Sequence, residues 1–303
     1  MTDTVSENIS SDSDYDSYLS DSELVQPREK ANPHRIYAEA CALYKCFPIA
    51  CVVDGIIERQ WLDVNNRGLS ENDAYCIQQV IDVSAEVKGI NLSGNYMQTR
   101  GIQGIVKSLE IHKIVHLNIS NTGFIIDSDS FSKNILLTIM RMPGLLDLDL
   151  SHNCIGDEGM KIFHMDKWRS DIFNIRLCDV GFTDASAEFA AGLVNEHPLQ
   201  NYDISWNNLS QGAIHQFFET LKGIERWQDE MNVLNISNTN ASDDNARDLI
   251  DFFHNPRFPN THVIFYPNKF NSSVVDELCL LEYLNMGKQA FEPCFYTFTN
   301  LGP

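Results

Sequence analysis

Asp147, Asp149 and Asp203 surround Arg176 when the chain is aligned on a six-residue pattern that it repeats, and residues sharing a place in a repeat share a surface. Three carboxylates around one guanidinium leave a surplus of negative charge, which suits a basic patch on a partner protein. Trp61, Trp206 and Tyr266 flank the group, and aromatics of that kind dominate the binding energy of protein interfaces. The competing explanation is a merely solvated sheet face, whose exposed positions are small and polar in any case. Catalysis has less to work with. His116, His152 and Cys178 fall on the same side of the pattern, yet no spacing predicts hydrogen-bonding distances among them. The chain lacks the Gly-x-Ser-x-Gly elbow, the Gly-x4-Gly-Lys-Ser/Thr phosphate loop and the His-Glu-x-x-His zinc helix. The expectation is a protein without enzymatic activity, cofactor or resident metal.

The two ends carry other candidates. Residues 10–23 run Ser-Ser-Asp-Ser-Asp-Tyr-Asp-Ser-Tyr-Leu-Ser-Asp-Ser-Glu, too polar to bury a core and expected to be disordered. Ser11, Ser13 and Ser20 each have an acid three residues on, the pattern of acidophilic kinase sites. Each phosphate would add about −1.5 to −2 of charge. Asp12, Asp14, Asp16, Leu19 and Glu23 follow the spacing of an EF-hand calcium loop, but Ser17 stands where the sharp turn needs Gly. A solvated acidic tail is the better reading. Near the other end lie Phe291, Phe295, Tyr296 and Phe298. Covering the apolar end of a repeat array suits them better than free docking does.

The net charge is −20, divided as −6 in residues 1–30 and −14 in the rest. With both parts acidic, a grip on nucleic-acid phosphates is disfavoured and a basic protein partner is favoured. No apolar run approaches the roughly 20 residues of a membrane helix. The opening Met-Thr-Asp-Thr-Val-Ser-Glu has neither the basic nor the apolar region of a secretory signal. The eight cysteines are scattered with no Cys-x-x-Cys pair, which reads as reduced, mostly buried thiols in the cytoplasm. Nothing points to a membrane or a small-molecule substrate.

The elements that position these residues come from the repeat itself. Ile90-Asn-Leu92-Ser-Gly-Asn95 recurs as Leu148-Asp-Leu150-Ser-His-Asn153 and Tyr202-Asp-Ile204-Ser-Trp-Asn207, with Leu117-Asn-Ile119-Ser-Asn-Thr122 and Leu234-Asn-Ile236-Ser-Asn-Thr239 close behind. Weaker copies complete a ladder whose last residues are 67, 95, 122, 153, 180, 207, 239 and 268. The alternating apolar pair predicts a short strand that buries every second side chain, so Leu148 and Leu150 should be fully buried. The Asn that follows can bond backbone groups left unpaired by its turn. Arg67 and Val180 depart from Asn, and Val180 offers its turn no polar group. Helices are predicted over 157–163, 183–194, 212–221 and 242–253, with Thr183 and Ser242 as N-caps. Parallel strands stack about 4.8 Å apart and packed helices about 8–10 Å apart, so the strands should line the inside of a curve.

A period of this length with one helix per unit is similar to the ribonuclease-inhibitor type of leucine-rich repeat, over residues 58–283. The run Leu145-Leu-Asp-Leu-Asp-Leu-Ser-His-Asn-Cys-Ile-Gly-Asp-Glu-Gly159 is close to that family's consensus. Upstream, Tyr37-x3-Cys41-x6-Pro48 resembles the N-terminal cap of cytoplasmic and cilium-associated members. The resemblance implies an α/β right-handed solenoid, a horseshoe of about eight repeats with concave strands and convex helices. It divides the chain into an acidic tail (1–30), a helical cap (31–57), the repeats (58–283) and a C-terminal cap or tail (284–303). It also implies a protein-binding scaffold, in a cytoskeletal or axonemal assembly as one specific form. The alternatives are a GTPase-activating type of regulator for a small GTPase, by analogy of fold, and an inhibitor of a basic enzyme.

Overall fold

The computed structural model describes residues 32–127, 130–165, 167–224 and 231–285. Ser11, Ser13, Ser20, the EF-hand-like pattern and the aromatics of 291–298 lie outside those residues. The described residues form an α/β fold built on one sheet of eight parallel strands in sequential order. The strands are β1 (Trp61–Asp63), β2 (Gly89–Asn91), β3 (His116–Asn118), β4 (Asp147–Asp149), β5 (Asn174–Arg176), β6 (Asn201–Asp203), β7 (Val233–Asn235) and β8 (His262–Ile264). Ten α-helices occur among the described residues. α1 (Pro33–Tyr44) and α2 (Ala50–Ile57) precede the sheet. α3 (Glu71–Val83), α4 (Gln98–Leu109), α5 (Ser130–Met140), α6 (Gly156–Met165), α7 (Ala187–Glu196), α8 (Gln211–Lys222), α9 (Ala246–Phe253) and α10 (Ser272–Asn285) each follow one strand. One strand and one helix per unit is compatible with a repeat solenoid.

The register matches the sequence ladder residue for residue: Leu148 aligns with Leu117 and Ile175, and Asp149 with Asn118 and Arg176. The two apolar residues of each strand pattern point to the helices, and none is more than 2 % exposed. Leu148 and Leu150 are completely buried, as expected. The apolar residue two places after the ladder position is buried in the first seven units, from Leu69 to Ala241. In the last, Phe270 is only partly covered and packs edge-on against Phe265.

Two helix starts differ from expectation. The segments after Thr183 and Ser242 begin with 3-10 turns, Asp184–Ser186 and Asp243–Asn245, before α7 and α9. The Thr183 hydroxyl does not cap; it donates to Asp157 Oδ2 at 2.7 Å, and its N–H donates to Asp157 Oδ1 at 2.8 Å. The Ser210 N–H likewise donates to Asp184, and that of Asn271 to Asp243. An acid of one unit thus serves the helix start of the next. Ser242 does accept from the Asp244 N–H, but over a long 3.4 Å.

Among the described residues no strand pairs with the outer edge of β8, and a side chain meets it instead. In an interior parallel strand the Val263 N–H would bond a carbonyl of the next strand. Here Glu282 of α10, 4 % exposed, accepts it at Oε1 over 2.8 Å, and the same oxygen lies 2.6 Å from His262 Nδ1. Glu282→Ala should therefore cost about 1–3 kcal/mol by orphaning a buried donor and should leave a strand edge open to self-association. Urea unfolding and light scattering would check this. Glu282→Gln, which keeps an acceptor, should lose less, and equal losses for the two would show that the oxygen is not serving the strand.

Candidate functional site

The site predicted from the sequence lies on the sheet face turned away from the helices. Strand alternation puts the residue between each apolar pair on that face: Asp63, Asn91, Asn118, Asp149, Arg176, Asp203, Asn235 and Ile264. Local structure explains why Asp and Asn dominate there. In six units the side-chain Oδ1 accepts the N–H two residues on: Asp149 from Ser151 at 3.0 Å, Asp203 from Ser205 at 2.8 Å, and likewise Asp63, Asn91, Asn118 and Asn235. Either residue type makes this bond equally well, so the turn requires an oxygen and leaves the charge optional. Arg176 cannot accept. The N–H that its side chain leaves unserved, that of Cys178, bonds Ser151 Oγ of the preceding unit at 3.2 Å.

Arg176 instead donates to Asp147 Oδ1 at 2.8 Å, while His116 Nδ1 lies 3.4 Å from the other oxygen. Burial raises the Asp147 pKa, but the His116 hydrogen bond and the Arg176 charge outweigh it, so the carboxyl titrates below its ordinary range. Asp203 behaves in the opposite way. Burial pushes its pKa up, hydrogen bonds from Ser205 and Asn235 only partly offset that, and the Asp149 charge adds to it. Asn235 Nδ2 holds its Oδ2 at 2.9 Å. The structure thus brings Asp147, Asp149, Asp203 and Arg176 onto three adjacent strands.

Trp61 joins the network from three strands away. Its ring stacks on His116 with centroids 5.0 Å apart and planes at 23°. Gly89 of β2 makes this possible: a Cβ there would come within 2.1 Å of the indole, so only glycine lets the ring lie across the strand. Trp206 and Tyr266 are 60 % and 49 % exposed. Among the described residues neither makes a hydrogen bond or ring contact with the acids.

The residue just before each of the first seven ladder positions takes a left-handed conformation: Asn66, Gly94, Asn121, His152, Asp179, Trp206 and Asn238 have φ between 50 and 67°. Glycine, Asn and Asp tolerate that region, but a tryptophan there is a costly exception. Trp206, at φ 60°, is neither buried nor conformationally suited to its place.

The sequence placed His152 and Cys178 on one side without predicting contact between them; the structure brings the two together and adds Asp179, which sequence reasoning did not name. His152 Nδ1 is 3.2 Å from Asp179 Oδ2, and its Nε2 is 4.0 Å from Cys178 Sγ. The order resembles a nucleophile with its base and orienting acid. Burial, reinforced by Asp203, Asp179 and Asp149, nevertheless pushes the Cys178 thiol up to about 12, so the reactive thiolate is suppressed at neutral pH. None of the described helices is long and apolar enough to cross a membrane. No protein-family model matches the chain, and no curated protein sequence matches it either.

Proposed function

We propose that the chain is a leucine-rich-repeat solenoid of the ribonuclease-inhibitor-like type, a right-handed horseshoe that binds a basic partner protein on its concave sheet face as a non-enzymatic scaffold. The strand-to-strand register supports the repeat assignment, and the wider separation that packed helices need in general, compared with parallel strands, supports the curvature. The observation that carries the functional reading is Trp206. A large aromatic kept 60 % exposed in a left-handed backbone position destabilises the fold by about 1 kcal/mol or more and serves no packing role. An interface anchor accounts for both features. Asp203 is consistent with this, because its burial penalises the charged form until a cation approaches. A cytoskeletal or axonemal setting is one form of the proposal, resting on the cap resemblance alone.

The test begins with capture and identification of proteins bound by the full chain, followed by kinetics with the best one. The triple variant Asp147→Asn, Asp149→Asn, Asp203→Asn keeps the turn oxygens and should fold normally. It should associate more slowly and with a weaker salt dependence, because charge complementarity acts chiefly on encounter. Trp206→Asn should melt no lower than the wild type yet bind about tenfold or more weakly, as expected for an anchor. Unchanged rate, salt slope and affinity in both variants would mean that this face is merely solvated.

A further inference from the structure

We propose that His215, Glu219 and Asp248 bind a divalent transition-metal ion across the junction of α8 and α9. His215 and Glu219 are four residues apart on α8 and so share a face. Asp248 enters from α9. One ligand atom from each lies within 4.8 Å of the others, and His215 Nδ1 is 2.8 Å from Asp248 Oδ1. Donors so placed need only small side-chain shifts to share one ion at the usual metal–ligand distances of about 2.0–2.2 Å.

Asp248 is the fixed member. It is 5 % exposed, and Asn245 Nδ2 donates to its Oδ2 at 3.1 Å, which leaves Oδ1 for His215. Asn245 is itself 1 % exposed, and its Oδ1 has no hydrogen-bond partner among the described residues. A buried polar side chain, unpaired at one end, therefore rests against the buried ligand. This is how an outer-shell group orients a ligating carboxylate. His215 and Glu219 are exposed, so water can complete the coordination. One imidazole with two carboxylates suits Zn²⁺, Ni²⁺ or Co²⁺ better than Ca²⁺ or Mg²⁺, which prefer oxygen alone. Lys222 is the built-in competitor: its Nζ holds Glu219 Oε1 at 2.6 Å and Asp251 at 2.9 Å. A bound ion would staple two successive units together on the helical side, away from the sheet face.

Calorimetric titration of the intact chain with Zn²⁺, and in parallel with the less thiophilic Ni²⁺, tests the proposal under reducing conditions. One equivalent should bind and raise the melting temperature. His215→Ala, at an exposed position, and the isosteric Asp248→Asn should each weaken binding by about tenfold or more. Lys222→Met should strengthen it by freeing Glu219. Every variant keeps the same cysteines, so binding that survives His215→Ala unchanged belongs to thiols and overturns the proposal. So does a wild-type chain that takes up neither ion.

Discussion

Asn207→Ala is expected to lower the unfolding free energy by about 4 kcal/mol or more, as large an effect as removing a core side chain. The Asn207 carboxamide accepts from the N–H groups of Val180 and Gly181 at 3.2 and 3.1 Å. It donates to the carbonyls of Leu177, Ile204 and Ser205 at 2.8, 2.9 and 3.2 Å. Alanine leaves several of these buried, and each unsatisfied group costs about 1–3 kcal/mol, with less than full additivity. Thr239 is the control. Its hydroxyl bonds only the Ile236 carbonyl of its own turn, at 2.8 Å, so Thr239→Val should cost about 1 kcal/mol. Urea midpoints for the two variants check the contrast, and equal losses would mean that the Asn bridges contribute no more than a local turn bond.

Leu150→Ala should cost about 2–5 kcal/mol, because a completely buried leucine in mid-sheet leaves a cavity that flanking strands cannot close. The neighbouring apolar positions, Ile119 and Leu177, are themselves fully buried, and their N–H groups are tied to the Asp149 and Asp203 carbonyls of the next strands at 3.0 and 2.8 Å. The melting temperature and urea midpoint should fall together. A variant that melts like the wild type would place Leu150 on the wrong face of its strand.

The strand ladder was legible because the alternation of apolar residues recurs eight times at one period, with an Asn marking four of the ladder positions. Residue-level pairing then followed from simple alignment. What escaped the sequence was made between units. Val180 has no polar group, so its turn reads as a defect; the missing acceptor comes from Asn207 in the next unit. The Arg176–Asp147 pair runs diagonally between strands, and the His152–Cys178 approach depends on loop conformation. Trp206 could be named as an exposed aromatic, but its backbone strain is invisible without coordinates. The acidic column was legible as charge, whereas its second task, closing the strand ends, was not.

The Asn bridges also have a parity. Asn95, Asn153, Asn207 and Asn268 occupy alternate ladder positions, and each reaches back to serve the unit before it, whose own residue is Arg67, Thr122, Val180 or Thr239. Junctions therefore alternate between bridged and unbridged, and the smallest self-sufficient segment is two units. Growth or loss of the array by pairs keeps every turn satisfied. Insertion of a single unit lacking the Asn would leave one turn without its acceptor. Shortening the chain just after the Val180 unit strips that turn of its acceptors, whereas ending it after the Asn207 unit does not. Natural length variants of such a chain should accordingly differ by even numbers of units, and an array fraying from its C-terminal end should release them two at a time.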